Sequence, residues 1–155
     1  MDNYMKLTLL AVSENEGFAR SAVSAFALCL NPSLSELSDI KTAVSEAVTN
    51  CIVHAYQQSK TDNYIVIECK VNALSSELHI EITDTGCGIT DVEQALMPFY
   101  TTLPYEERSG MGFTIMQTFM DDFQIESKTG AGTKITMKKR IGFDENQETK
   151  QRLNA

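Results

Sequence analysis

Basic residues are in short supply. The chain carries 13 lysines and arginines against 21 aspartates and glutamates, for a formal net charge of -8. This balance argues against a basic face that wraps nucleic acid, and leaves a basic protein partner possible. No apolar run is long enough to span a membrane, and no secretory signal pattern opens the chain. A cytoplasmic protein with no membrane contact and no direct nucleic-acid contact is therefore expected. No C-x-x-C pair occurs among Cys29, Cys51, Cys69 and Cys87, which argues against a zinc site. Three of these cysteines fall in apolar helix or strand patterns and are expected to be reduced core thiols. Internal repeats and low-complexity tracts are lacking too.

What is there is an ordinary globular composition: 155 residues, 43% hydrophobic and 22% charged, enough for one domain with a sizeable core. The first twelve residues contain a strand candidate. Ser13-Glu14-Asn15-Glu16 fits a capping box, so a helix is predicted from about Glu14 to Leu30, with Phe18, Ala22, Val23, Phe26 and Ala27 on its apolar side and Arg20 off that stripe. Asn31-Pro32 breaks it. Ser33 to Glu36 repeats the box and opens a second helix that is predicted to run to Tyr56. Tyr64 to Val71 and Glu77 to Thr83 alternate as strands close enough for an antiparallel hairpin, with His79 on the outer side. A short helix is predicted within Thr90 to Met97. Phe123 to Lys128 and Thr133 to Arg140 read as a second hairpin around Thr129-Gly130-Ala131-Gly132. Residues after Ile141 are polar and read as a disordered tail over 142–155.

Three stretches carry chemistry. The second helix places Glu46, Asn50 and His54 at i, i+4 and i+8, on one face at about 100° per residue, while Leu37, Ile40, Val44, Val48, Cys51 and Ala55 form its apolar face. Taken alone, such a polar row is as well explained by a solvated helix surface. The strand ending in Asp84 runs into Asp84-x-Gly86-x-Gly88, where paired glycines allow a sharp turn and close backbone approach. Pro98 to Ser109 is a long loop of the kind that forms lids. It leads to Gly110-Met111-Gly112 before an apolar-spaced helix, a setting suited to phosphate because free N–H groups and the helix dipole face the anion.

In this order the set resembles the GHKL ATPases, whose Bergerat nucleotide-binding fold is shared by gyrase, the Hsp90 chaperones, histidine kinases and MutL. Ser45-Glu46-Ala47-Val48-Thr49-Asn50 and the run from Glu107 to Met116 are similar to the anti-sigma serine kinases of spore-forming bacteria within that family. The resemblance covers roughly residues 1 to 140. It implies an α+β fold, a two-layer sandwich with a mixed, mostly antiparallel sheet covered on one face by helices, and one ATP-binding kinase domain over residues 1–141.

The resemblance also implies roles. Asn50 would ligate Mg²⁺, for which a neutral amide oxygen is suitable. Asp84 would accept from the adenine amino group, with Thr133 supporting that contact and Gly86 and Gly88 closing on base and ribose. Gly110, Met111 and Gly112 would cradle the phosphates of ATP or ADP beside Arg108 and Ser109, with Thr101 and Thr102 as lid contacts and His54 near the phosphates. Glu46 would be the base that activates a serine hydroxyl of an anti-anti-sigma protein. Arg20, assisted by Glu16, would dock that protein and a sigma factor of RNA polymerase, and the chain would form a homodimer through its N-terminal region. Ala55 departs from the pattern, since many members carry glycine there.

Three other readings compete. A histidine-kinase catalytic domain needs a phosphoacceptor histidine upstream, but His54 and His79 both fall within the ATP-binding region. A hydrolytic ATPase of the gyrase or chaperone type would need coupling domains that 155 residues leave no room for. A binding protein controlled by nucleotide without kinase activity has no need of Glu46.

Overall fold

Alternation along the strands decides which face of the sheet is dry. The computed structural model describes residues 2–55, 63–98 and 111–142. Its strands are β1 (Asn3–Leu10), β2 (Tyr64–Asn72), β3 (Glu77–Asp84), β4 (Asp122–Lys128) and β5 (Gly132–Arg140), in the order β1-β2-β3-β5-β4. The sheet, expected to be mostly antiparallel, is antiparallel in each of these pairings. Inward residues line up in rows across the strands. One row is Leu7, Ile67, Ile82, Ile135 and Ile125; the next is Met5, Cys69, Ile80, Met137 and Phe123. Both rows belong to or pack against one hydrophobic core. The opposite face is polar: Lys6 pairs with Glu68 and Lys134 with Glu126, and His79 Nε2 lies 3.8 Å from Glu81 Oε1, so His79 is an outer strand residue as expected.

The helices α1 (Glu14–Ala27), α2 (Leu34–Asn50), α3 (Val92–Ala95) and α4 (Gly112–Phe119) follow from apolar spacing. In α1, Ala19, Val23 and Ala27 are fully buried, one turn apart. Phe18, read as part of that stripe, is instead 55% exposed. In α2, Ile40, Ala43, Val44, Ala47 and Val48 are buried, and this helix lies between α1 and α4. Its start is the capping box read from sequence. The Glu36 N–H donates to Ser33 Oγ at 3.1 Å, and the Ser33 N–H donates to Glu36 Oε2 at 2.8 Å.

The similar box at Ser13 does not form. Glu16 is engaged elsewhere, accepting from Arg20 Nη1 at 3.2 Å and from the Ser45 hydroxyl. A second departure is more consequential. After Asn50 the backbone widens into a π-helical turn over Cys51–Ala55, so the α-helical register, predicted up to Tyr56, ends at Asn50. π turns of this kind occur often at functional sites.

Candidate functional site

Two walls of residues meet the end of α2. The first is built where α4 begins. A methyl group at Gly112 would sit 3.2 Å from Glu46 Oε2, 3.4 Å from Asn50 Nδ2 and 3.5 Å from Asn50 Oδ1. Glu46 and Asn50 are one turn apart on α2, so both side chains reach the first residue of α4. The first helical bond of α4 runs from the Ile115 N–H to the Met111 carbonyl at 2.8 Å. The N–H groups of the turn before it have no acceptor within the helix and lie where an anion would be favoured.

The second wall is the end of β3. Asp84 is 5% exposed. The Gly86 N–H donates to its Oδ1 at 2.9 Å, and the Cys51 thiol donates to its Oδ2 at 3.5 Å. Burial raises the Asp84 carboxyl above its ordinary value, against the opposing pull of hydrogen bonds from Gly86, Cys51 and the Thr133 backbone. Thr133 pairs with Asp84 in the register of β3 and β5.

The glycines after Asp84 let this wall close. Any β-carbon at Gly86 would lie 2.3 Å from the Ala55 carbonyl oxygen, which accepts the Cys87 N–H at 2.9 Å. Gly88 has φ +72° and presses on the Lys128 carbonyl, a conformation and approach that other residues do not tolerate. The loop is thereby fixed between the π turn and the β4–β5 turn.

A carboxylate and an amide thus lie beside a helix start, and a buried carboxylate lies on a glycine-bounded loop. The family model of the histidine kinase-like ATPase domain matches residues 11–139. The chain belongs to this family. Relatives of this chain include an anti-sigma F factor of Caldanaerobacter subterraneus subsp. tengcongensis, 51% identical over 91% of this chain and 96% of that one. An anti-sigma F factor of Clostridium perfringens is 52% identical over 91% of this chain and 99% of its own. The crystal structure of the RsbU and RsbW domains of a Mycobacterium tuberculosis protein shares the fold. Its TM-score is 0.64 at 18% identity, covering 90% of this chain and 32% of that one.

An ATPase domain of this family implies a nucleotide site, and the residues read from sequence fall around the two walls. Glu46 and Asn50 meet Gly112 at the first, with Met111 just before it in the chain; Asp84, Gly86 and Thr133 meet at the second, with Gly88 against Lys128 beside them. His54 lies within the π turn, and its carbonyl accepts from Cys87 Sγ at 3.3 Å. Thr101, Thr102, Arg108, Ser109 and Gly110 lie outside the described residues. Among the described residues no cluster of three or more His, Cys, Asp or Glu could hold a metal. A single amide such as Asn50 suits an ion whose other ligands are phosphate oxygens and water.

Arg20 and Glu16 stand apart from both walls, on α1. The Arg20 side chain is 42% exposed and bonds Ser45 Oγ at 3.2 Å as well as Glu16. Ser45 directly precedes Glu46, so the α1 pair is tied to the helix that carries the carboxylate.

Two residues of the second wall escaped the sequence reading. Cys51 was placed on the apolar face of α2; it is buried there, yet its thiol serves Asp84. Ser127 was read only as part of a strand. The alternation Phe123, Ile125, Ser127 puts it on the inner face, and a serine at a core-facing position was the available signal.

Proposed function

We propose that this ATPase domain is a protein serine kinase and anti-sigma factor. It would use Mg²⁺-ATP to phosphorylate a serine of an anti-anti-sigma protein, and would hold a sigma factor of RNA polymerase inactive. The observation that carries this reading is the convergence of Glu46, Asn50 and the start of α4 at Gly112. The anti-sigma name of relatives at about half identity over most of the chain supports the binding role.

Phosphoryl transfer is mostly positioning and charge stabilisation. Asn50 would hold Mg²⁺, which neutralises charge on the phosphates. The N–H groups at the start of α4 would orient the anion, with Arg108, Ser109, Gly110 and Met111 beside it and Thr101, Thr102 and His54 completing the surround. Glu46 would accept the proton of the incoming serine hydroxyl. Asp84, with Thr133, would accept from the adenine amino group. Arg20 and Glu16 would dock the protein partners, and the N-terminal region would join two copies. Among the described residues no helix is long and apolar enough to cross a membrane, in keeping with a cytoplasmic setting for such partners.

The test is incubation with γ-labelled ATP, Mg²⁺ and a candidate anti-anti-sigma protein. Label is expected on a partner serine, and Glu46→Gln should lower transfer roughly 10²–10⁴-fold while keeping ATP binding. Label on a histidine of the chain itself, or ATP binding without any transfer, would overturn the kinase reading. Arg20→Glu should weaken both partner complexes and leave ATP affinity unchanged.

A further inference from the structure

The rows of inward residues change character at one end of the sheet. Leu9 and Ile65 continue the core, but the next three members of that row are Asp84, Thr133 and Ser127. Ser127 touches three polar groups. The Ile89 N–H donates to its Oγ at 2.8 Å, its hydroxyl donates to the Gly132 carbonyl at 3.1 Å, and Thr133 Oγ1 lies 2.8 Å away.

Proton counting fixes the last of these contacts. A hydroxyl has one proton and two lone pairs. The Gly132 carbonyl can only accept, and we assign it the Ser127 proton, the arrangement that satisfies all three contacts. The Ile89 N–H occupies one lone pair. The lone pair that remains faces Thr133, whose hydroxyl must therefore donate. Thr133 is 8% exposed, and its proton is committed to the protein.

We infer that Ser127 is a positioning residue that turns the Thr133 hydroxyl so that only acceptors, Thr133 Oγ1 and the Asp84 carboxylate, face the base end of the nucleotide site. This rests on the nucleotide reading above. An acceptor-only wall favours a purine edge with an amino group, as in adenine, over one with a carbonyl oxygen, as in guanine. Without Ser127 the Thr133 hydroxyl regains its rotation and can donate to that carbonyl. Ser127 thus contributes to base choice without itself touching the base.

The experiment is equilibrium titration of the full chain with ATP and with GTP, each with Mg²⁺. Ser127→Ala is expected to reduce the preference for ATP over GTP roughly tenfold. Ser127→Thr, which restores a hydroxyl, should retain the preference. In a Thr133→Val background, Ser127→Ala should change the preference no further, because the two residues act through one hydroxyl. Equal weakening of both nucleotides by Ser127→Ala would mean a structural role only and would overturn the inference. So would effects that multiply in the double variant. Thermal unfolding checks each variant, and Ser127→Cys, a weak donor and acceptor of similar bulk, replaces alanine if that variant does not fold. The unmodified chain is titrated first; if it binds no ATP, the proposed function fails there. If it binds ATP and the cycle fails, the Ser127 inference alone is lost.

Discussion

Asp84 is a carboxyl held above its ordinary value of 3.8 by burial. A group raised in the folded state stabilises folding below its unfolded value and loses that contribution as pH rises through the folded value. At neutral pH its ionised form is therefore a burden on the fold. Asp84→Asn should gain melting temperature relative to the parent at about pH 7 compared with about pH 4, while nucleotide affinity falls. Thermal melts at the two pH values, beside an ATP titration, check both halves. The thiols divide as clearly. Burial pushes the Cys69 thiol to about 12 and raises the Cys51 thiol well above its usual value, whereas Cys29 and Cys87 are exposed. A thiol reagent should label Cys29 and Cys87 at once and the other two only on unfolding. ATP should slow the labelling of Cys87, which sits between Gly86 and Gly88. The place of Asp84 at the end of β3, before a tight loop, was legible because glycines mark it in the sequence. The roles of Cys51 and Ser127 were not, because each depends on a partner that only the folded sheet supplies.

At the scale of elements, Ser33 and Glu36 show what local sequence can specify. Their reciprocal bonds join residues three apart, so the pattern and the structure coincide. Burial raises the Glu36 carboxyl, but bonds from Ser33 and from the Gly142 N–H outweigh it and leave it below its ordinary value of 4.5. A lowered group contributes stability above its unfolded value and loses it as pH falls through the folded one. Glu36→Gln should flatten the acid limb of the stability profile below about pH 4.5, as read by urea unfolding across that range. The failed box at Ser13 shows the opposite case, in which Arg20 and Ser45, distant in sequence, claim Glu16. The π turn was also illegible, since Cys51 to Ala55 fits an α-helical pattern equally well. Lys139, 8% exposed, pairs with Asp39 at 3.4 Å and donates to the Phe119 carbonyl at 2.7 Å. It fastens the end of α4 to α2, and Lys139→Ala should destabilise by about 2–4 kcal/mol. Denaturant unfolding measures this, and a loss within a few tenths of a kcal/mol would mean the contact is slack.

For the whole molecule, the two hairpins were readable from their turns and alternation. The junction of β3 with β5 was not, because 47 residues separate Asp84 from Gly132 and no local signal crosses that distance. The proposed nucleotide site lies along the same long-range seam, bounded by α2, β3, the β4–β5 turn and α4. Ligand that binds only the folded chain should stabilise all of it, by about 2.7 kcal/mol at a concentration of about 100 Kd. A melting shift with Mg²⁺-ATP that Asp84→Asn abolishes would check this. The row of Ser127, Thr133 and Asp84 has a last consequence. The apolar interior stops one layer short of the sheet's end, where Asp84, Thr133 and Ser127 take the inward positions. On the proposed reading the nucleotide base serves as the final course of the core, and the free protein is a fold whose interior is finished only by its substrate.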